Sequence, residues 1–82
     1  MARVVLTNWL SQRFTGGESE IEVSAGTVRQ MIAELDGRFP GIGAELKSGM
    51  AVAIDGEIFT DPFLEPIRAD SEVYFLPPLE GG

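Results

Sequence analysis

The chain begins with an apolar run at residues 3–10, which predicts a β-strand. Its inward-facing candidates are Val4, Leu6 and Trp9. Residues 15–17, Thr-Gly-Gly, have the composition of a turn. Residues 18–23 follow and alternate polar and apolar side chains at their end, with Ile21 and Val23 on one side. We therefore predict a hairpin of two strands joined through the glycine turn.

The next stretch has helical periodicity. Apolar residues recur at i, i+3, i+4 and i+7 and would form one buried stripe, namely Val28, Met31, Ile32 and Leu35. Thr27 precedes the stripe and Gln30 follows three residues later, which is the spacing of a capping box. We expect Gly37 to adopt the left-handed conformation that closes the helix, and Pro40 to prevent further continuation.

The second half of the chain returns to strands after a short helical turn, which the spacing of Ile42 and Leu46 predicts. Residues 50–54 alternate and predict a strand. Asp55-Gly56 is the strongest hairpin-turn signal in the chain, and residues 57–59 would return from it. In the turn-rich connection beyond, three apolar residues are expected to pack against the core, namely Phe63, Leu64 and Ile67.

The last predicted strand, residues 71–76, is apolar on both faces. Val73 and Phe75 share one face, and Tyr74 and Leu76 share the other. This is typical of a central strand, which a helix covers on one side and a partner can cover on the other. The pattern as a whole predicts an α+β domain, with a mixed sheet of four to five strands and one main helix packed across one face.

Composition restricts the class of protein. The 82 residues, 44% of them apolar, suit one globular domain. The sequence has no run of 18 apolar residues that could cross a membrane and no pattern of a secretory signal at its start. We therefore expect a cytoplasmic soluble protein. The net charge of −7 disfavours nucleic-acid binding. It suits a partner with a basic surface, although acidity can also serve solubility alone.

The residue types that are missing also exclude functions. Without Cys or His, the chain lacks disulfides, thiolate nucleophiles, Cys-type metal or iron–sulfur ligands and the usual general base. An electron-transfer ferredoxin is thereby excluded. Catalysis would have to rest on carboxylates, hydroxyls, Tyr74 or the single Lys47. We expect no metal site, no cofactor bound by this chain and no autonomous enzyme activity.

The sequence closes on Leu79-Glu80-Gly81-Gly82, directly after Pro77-Pro78. Prolines cannot donate to a strand ladder, so they end the strand and stiffen the exit of the chain. The residues after Leu76 can reach about 20 Å from the domain. Terminal glycines leave no side chain to obstruct a narrow channel, and the reactive group at the tip is an α-carboxylate. We predict a domain at 1–76 and a flexible tail at 77–82, with an idle end as the alternative.

Short segments of this chain occur together in one known family, namely Thr15-Gly16-Gly17, Gly26-Thr27-Val28, Phe39-Pro40, residues 52–57, residues 70–73 and residues 76–82. At these residues the chain resembles the MoaD/ThiS-type ubiquitin-like sulfur carriers, which have the β-grasp fold. The small subunit of molybdopterin synthase is the nearer relative and the thiamine-pathway carrier the more distant one. The resemblance covers nearly the whole chain, and Pro-Pro-x-x-Gly-Gly after a strand is its most specific element.

The resemblance implies a reaction cycle. A ubiquitin-activating-type enzyme uses ATP to adenylate Gly82, and a sulfurtransferase or desulfurase supplies the sulfur that leaves a thiocarboxylate there. An acceptor enzyme, such as the large subunit of molybdopterin synthase, then takes this sulfur. By the same resemblance Gly81 permits access to the chemistry. The candidate contacts with partners are Phe75, Pro77, Pro78, Leu79 and Glu80, together with the exposed face of the last strand.

Several alternatives remain open at this stage. The diproline and the chain length favour the molybdopterin branch over the thiamine branch, and a branch that feeds cysteine or other sulfur metabolites is also compatible. The chain departs from the family pattern at Asp70, where glycine is common, at Leu79-Glu80 and at Asn8-Trp9. Outside sulfur transfer, the candidates are a protein modifier that is conjugated to lysines and a non-covalent β-grasp interaction module.

Overall fold

A computed structural model describes residues 1–48 and 50–76 of the chain. The elements follow one another as β1 (Ala2–Val5), α1 (Asn8–Leu10), a π-helical segment (Ser11–Thr15), β2 (Glu20–Val23), α2 (Val28–Arg38), α3 (Ile42–Leu46), β3 (Ala51–Ile54), β4 (Glu57–Phe59) and β5 (Glu72–Leu76). None of the helices in these residues has the length and apolar character needed to cross a bilayer.

The strands form one mixed sheet in the order β2-β1-β5-β3-β4. The first and last strands, β1 and β5, pair in parallel at the centre, and the other neighbours are antiparallel. The sequence-based prediction of a mixed sheet with a central last strand is therefore confirmed. The predicted stripe of α2 is buried, and it packs with Val4, Val73 and Phe75 into one hydrophobic core.

Capping contacts fix both ends of α2. At its start, the Thr27 hydroxyl accepts a hydrogen bond from the Gln30 N–H at 3.2 Å. The Gln30 side chain accepts from the Gly26 N–H at 2.9 Å, which is one residue earlier than a regular capping box requires. The expectation for Gly37 is wrong, because α2 continues to Arg38 and the left-handed residue is Gly41, with φ 100°.

The first strand is shorter than predicted. It ends at Val5, and the Thr7 hydroxyl accepts a hydrogen bond from the Leu10 N–H at 3.3 Å, which starts a helix. Leu10 is fully buried, whereas Trp9 is 54% exposed, so the inward prediction for Trp9 is wrong. The predicted glycine turn is confirmed by positive φ angles at residues 16 and 17.

The second hairpin agrees with the sequence-based prediction. Asp55 and Gly56 have φ angles of 50° and 89°, the left-handed pair that a tight hairpin turn requires. In the connection to β5, Ile67 is buried and Phe63 is partly buried against the core, as predicted. Leu64 is 79% exposed, so its predicted packing against the core is wrong.

Candidate functional site: the open face of the sheet

Strand β5 presents two different faces. Val73 and Phe75 are fully buried under α2, while Tyr74 is 39% exposed and Leu76 is half-buried on the other side. Phe75 was predicted to contact a partner, and the structure corrects this, because its side chain has no exposed surface. The side chain that β5 offers to a partner is Tyr74.

The register of the strands extends the surface of Tyr74 across the sheet. Residues that are directly opposite each other on neighbouring strands share a face. Tyr74 lies opposite Val5 on β1 and Ala53 on β3, and Ala53 lies opposite Ile58 on β4. Ile58 is exposed. The result is an apolar row across the open face, to which the half-buried Leu76 adds. We call this surface the apolar band.

A charged row borders the apolar band. Arg3 pairs in register with Glu22 on one side and Glu72 on the other. Its guanidinium forms ion pairs with Glu72 and, at 3.4 Å, with Glu20. The hydrogen bond with Glu72 and the charge of this carboxylate raise the pKa of Arg3. Two carboxylates thus pair with one guanidinium, and Glu22 lies on the neighbouring strand in register with Arg3, so this border is acidic.

The apolar band lies next to the point at which the described chain ends, whereas the acidic border lies at the other end of β5, beside Glu72. The apolar band includes Leu76, the last residue of β5. The remaining predicted site residues lie outside the described residues, namely Pro77, Pro78, Leu79, Glu80, Gly81 and Gly82. The predicted reactive carboxyl and the residues that lead to it are therefore known from the sequence alone. The structure describes the surface around Leu76, after which residue 77 follows.

Sequence reasoning found part of this site and missed part. The apolar outer face of β5 was visible in its own alternation. Val5, Ala53 and Ile58 were missed as members of the same surface, because only the strand order and register bring them beside Tyr74. The sequence shows the alternation within each strand, but this pattern does not reveal which strands are neighbours.

Comparisons with known proteins agree with this geometry. The model of the ThiS family matches residues 5–82 of the chain. The chain belongs to the ThiS family. The resemblance to MoaD/ThiS-type sulfur carriers and the β-grasp fold, both expected from the sequence, are thereby confirmed. A search of curated proteins finds no significant match.

Solved structures show the same fold at low sequence identity. A chain in the crystal structure of the Amycolatopsis orientalis BexX/CysO complex is 24% identical with a TM-score of 0.85, and 100% of both chains is covered. Small archaeal modifier protein 1 from Methanosarcina acetivorans is 18% identical with a TM-score of 0.79, over 99% of this chain and 95% of that one. A putative molybdopterin converting factor subunit 1 from Pyrococcus furiosus is 22% identical with a TM-score of 0.65, over 95% and 97%.

These neighbours are named for different roles on one fold. One is part of a complex with BexX, one is named a modifier and one a subunit of a molybdopterin converting factor. The fold therefore leaves the pathway of this ThiS-family member undetermined, since one fold supports several functions.

Proposed function

We propose that the protein carries sulfur as a thiocarboxylate on Gly82 and delivers it to an acceptor enzyme. The observation that carries this proposal is the ThiS-family match, which runs through residue 82 and so includes Gly81-Gly82. The apolar band supports it, because it offers a partner a docking surface that leads to Leu76, the residue from which the tail continues.

The chemistry requires a separate activating enzyme. A carboxylate is a poor electrophile, and the chain has no Cys or His with which to activate it. In the proposed cycle the Gly82 carboxylate attacks the α-phosphorus of ATP and displaces pyrophosphate, on a ubiquitin-activating-type enzyme. A persulfide of a sulfurtransferase or desulfurase then attacks the acyl carbon, and AMP leaves. A thiol of the donor system attacks the resulting acyl disulfide at the donor sulfur, which releases the thiocarboxylate on Gly82 and leaves a disulfide on the donor. ATP is thus used by the partner, and this chain acts as the carrier and substrate.

The folded domain supplies recognition in this proposal. Tyr74 is an aromatic side chain at the centre of an exposed apolar row, and aromatic residues of this kind dominate the energy of many interfaces. The acidic border around Arg3 would face basic side chains of the partner and accelerate encounter. Pro77, Pro78, Leu79 and Glu80 would then guide the terminal glycines into the active site of the partner.

The proposal also concerns the pathway to which the acceptor enzyme belongs. Molybdopterin synthesis is the first pathway to test, because the diproline before the terminal glycines favours it in the sequence. Thiamine-type and cysteine-type acceptors are the alternatives. Supplying the thiocarboxylated protein to each acceptor enzyme separately, and measuring which one consumes the sulfur, would distinguish these pathways.

A mass measurement tests the proposed function directly. The protein is incubated with ATP, a candidate activating enzyme and a sulfur donor, and the C-terminal peptide is weighed. We expect the mass gain of one oxygen replaced by sulfur. A variant that lacks Gly81 and Gly82 should stay unmodified, while Leu64→Ala, which changes an exposed side chain away from the open face, should react normally. Lysine-linked adducts would instead indicate a modifier, and full biological function without the two glycines would refute both.

A further inference from the structure

The helical segment after β1 exposes the only tryptophan of the chain. Thr7 caps α1, Leu10 turns into the core and is fully buried, and Trp9 points outward with 54% of its surface exposed. Burying a large aromatic side chain in an interface contributes substantial free energy, which makes Trp9 a candidate anchor for a partner. The proposed function does not use this side chain.

Arg13 contacts the indole of Trp9. It lies one helical turn beyond Trp9, and its guanidinium carbon is 5.3 Å from the centre of the Trp9 ring and 5.8 Å from that of Phe14. Phe14 in turn packs against the hydrophobic core. The ordered stack reduces the conformational entropy that Trp9 and Arg13 would lose on binding. We call these two residues the Trp9–Arg13 pair.

The charge of Arg13 indicates the chemistry of its partner. Within residues 1–48 and 50–76, the ion pairs involve Arg3 and Arg38, and none involves Arg13. The chain as a whole carries a net charge of −7, and the open face has the acidic border around Arg3. An exposed cation beside an exposed indole, on such a chain, is complementary to a carboxylate that lies next to an apolar pocket.

The position of the pair connects it with the tail. Strands β1 and β5 run in parallel, with Val5 opposite Tyr74. β1 ends at Val5 and α1 follows it, capped by Thr7, while β5 ends at Leu76, two residues after Tyr74. The Trp9–Arg13 pair therefore lies at the same end of the sheet as the exit of residues 77–82.

We propose that the Trp9–Arg13 pair is a second docking element for the enzyme that adenylates the tail. Trp9 would enter an apolar pocket of this enzyme, and Arg13 would pair with a carboxylate at the rim of that pocket. This inference rests on the proposed function. The acidic border lies beside the first residue of β5 and the Trp9–Arg13 pair lies towards its last, so the two charges would favour a single orientation of the partner, because a rotated complex would bring like charges together.

Steady-state kinetics of adenylation test the proposal, using the adenylating enzymes of the protein's own host and ATP–pyrophosphate exchange as the assay. Trp9→Ala should raise the KM for the carrier about 30-fold at unchanged kcat, the effect of losing an aromatic anchor. Arg13→Gln should raise the KM about fivefold, as for an exposed charge pair. Leu64→Ala removes a side chain that is still more exposed, from the connection that follows β4, and should change nothing. Circular dichroism checks that each variant is folded, and Trp9→Phe replaces Trp9→Ala if the latter is not.

A fluorine label on the single tryptophan gives an independent readout. In 5-fluorotryptophan protein, the ¹⁹F resonance should shift and lose its sensitivity to D₂O when the enzyme is added. If the chemical shift instead changes with the concentration of the protein in the absence of the enzyme, a second copy of the chain contacts Trp9. A change on removal of residues 77–82 from the free protein would indicate the chain's own tail. Either result would overturn the proposal.

The kinetic results distinguish a failure of the proposed function from a failure of the docking role. If no adenylating enzyme of the host accepts the wild-type protein, the proposed function fails and the docking role fails with it. If the wild type is adenylated but the Trp9→Ala and Arg13→Gln variants have the same KM as the wild type, or differ from it only by a lower kcat, the docking role alone is refuted.

Discussion

The two faces of the central sheet show how one short strand can serve stability and recognition at once. On β5, Val73 and Phe75 lie under α2 without exposed surface, while Tyr74 and Leu76, which alternate with them, lie on the open side. The sequence makes both faces apolar, and only the helix distinguishes them. The covered face therefore accounts for the free energy of folding, and the open face is available for a partner. The predicted chemistry needs neither face, because it belongs to the terminal glycines.

The largest effect is expected on the covered face. Phe75→Ala removes a fully buried aromatic ring and should destabilise the domain by about 3–5 kcal/mol. For a domain of this size the total free energy of unfolding is about 4–12 kcal/mol, so the variant should be largely unfolded at modest urea concentrations. Urea titration followed by circular dichroism measures this. A loss below about 1 kcal/mol would mean that Phe75 is not part of the core.

The adjacent residue should give the opposite result. Tyr74→Ala should reduce the free energy of unfolding by less than about 1 kcal/mol, because the side chain is partly in solvent. It should weaken binding of the activating enzyme by about 2 kcal/mol, or roughly 30-fold, as for an interface hot spot. Isothermal titration with that enzyme and urea titration of the free variant provide the two numbers. Equal losses of stability in Tyr74→Ala and Phe75→Ala would remove the distinction between the faces.

A smaller effect is expected from weakening the helix that covers one face. Thr27→Ala deletes the hydroxyl that accepts from the Gln30 N–H and should cost about 1 kcal/mol of stability. Thr27→Ser keeps the hydroxyl and should be close to the wild type. Neither variant should change the affinity for the activating enzyme under conditions in which the protein is folded. A change in affinity would indicate that α2 also contacts the partner.

The sequence predicts the covered face better than the open one. The stripe of α2 and the Asp55-Gly56 turn depend on local patterns, namely helical periodicity and the preference for positive φ, and both are confirmed. Leu64 fails because apolarity alone does not show whether a side chain in an irregular connection reaches the core. The prediction that Gly37 closes α2 is wrong because glycine can also lie within a helix. Other contacts stabilise the last turn of α2, since the Asp36 side chain accepts hydrogen bonds from the backbone N–H groups of Gly41 and Gly43.

The site was harder to predict for a related reason. Trp9 lies in the apolar run that was predicted as the first strand, and the pattern alone does not reveal that Thr7 caps a helix there. The apolar band depends on which strands are neighbours, and pairing of the first and last strands is a long-range result of the fold. The terminal glycines were proposed from the sequence alone, since the chemistry proposed for them depends on their position in the sequence and on the absence of side chains.

The smallest effect is expected at the turn that fixes the register between the two faces. A slip of β3 by one residue against β5 would exchange its covered and open side chains. Asp55 opposes such a slip, because its carboxylate accepts from the Glu72 N–H at 2.9 Å and its own N–H donates to the Glu72 carbonyl at 2.9 Å. The hydrogen bond from the Glu72 backbone, with a second one from Ser71, lowers the pKa of Asp55.

The lowered pKa determines the sign of the pH dependence. The ionised carboxylate stabilises the folded state, and this contribution is complete above the unfolded pKa of about 3.9 and disappears as the pH falls through the folded value. Asp55→Asn tolerates the left-handed backbone but lacks the charge. It should therefore be less stable than the wild type at pH 7, and the difference should shrink below about pH 4. Asp70→Asn makes the same change of charge at an exposed position and is the matched control. Urea titrations of the three proteins at several pH values measure these differences, and a gap between wild type and Asp55→Asn that stays constant down to low pH would show that the charge of Asp55 does not fix the register.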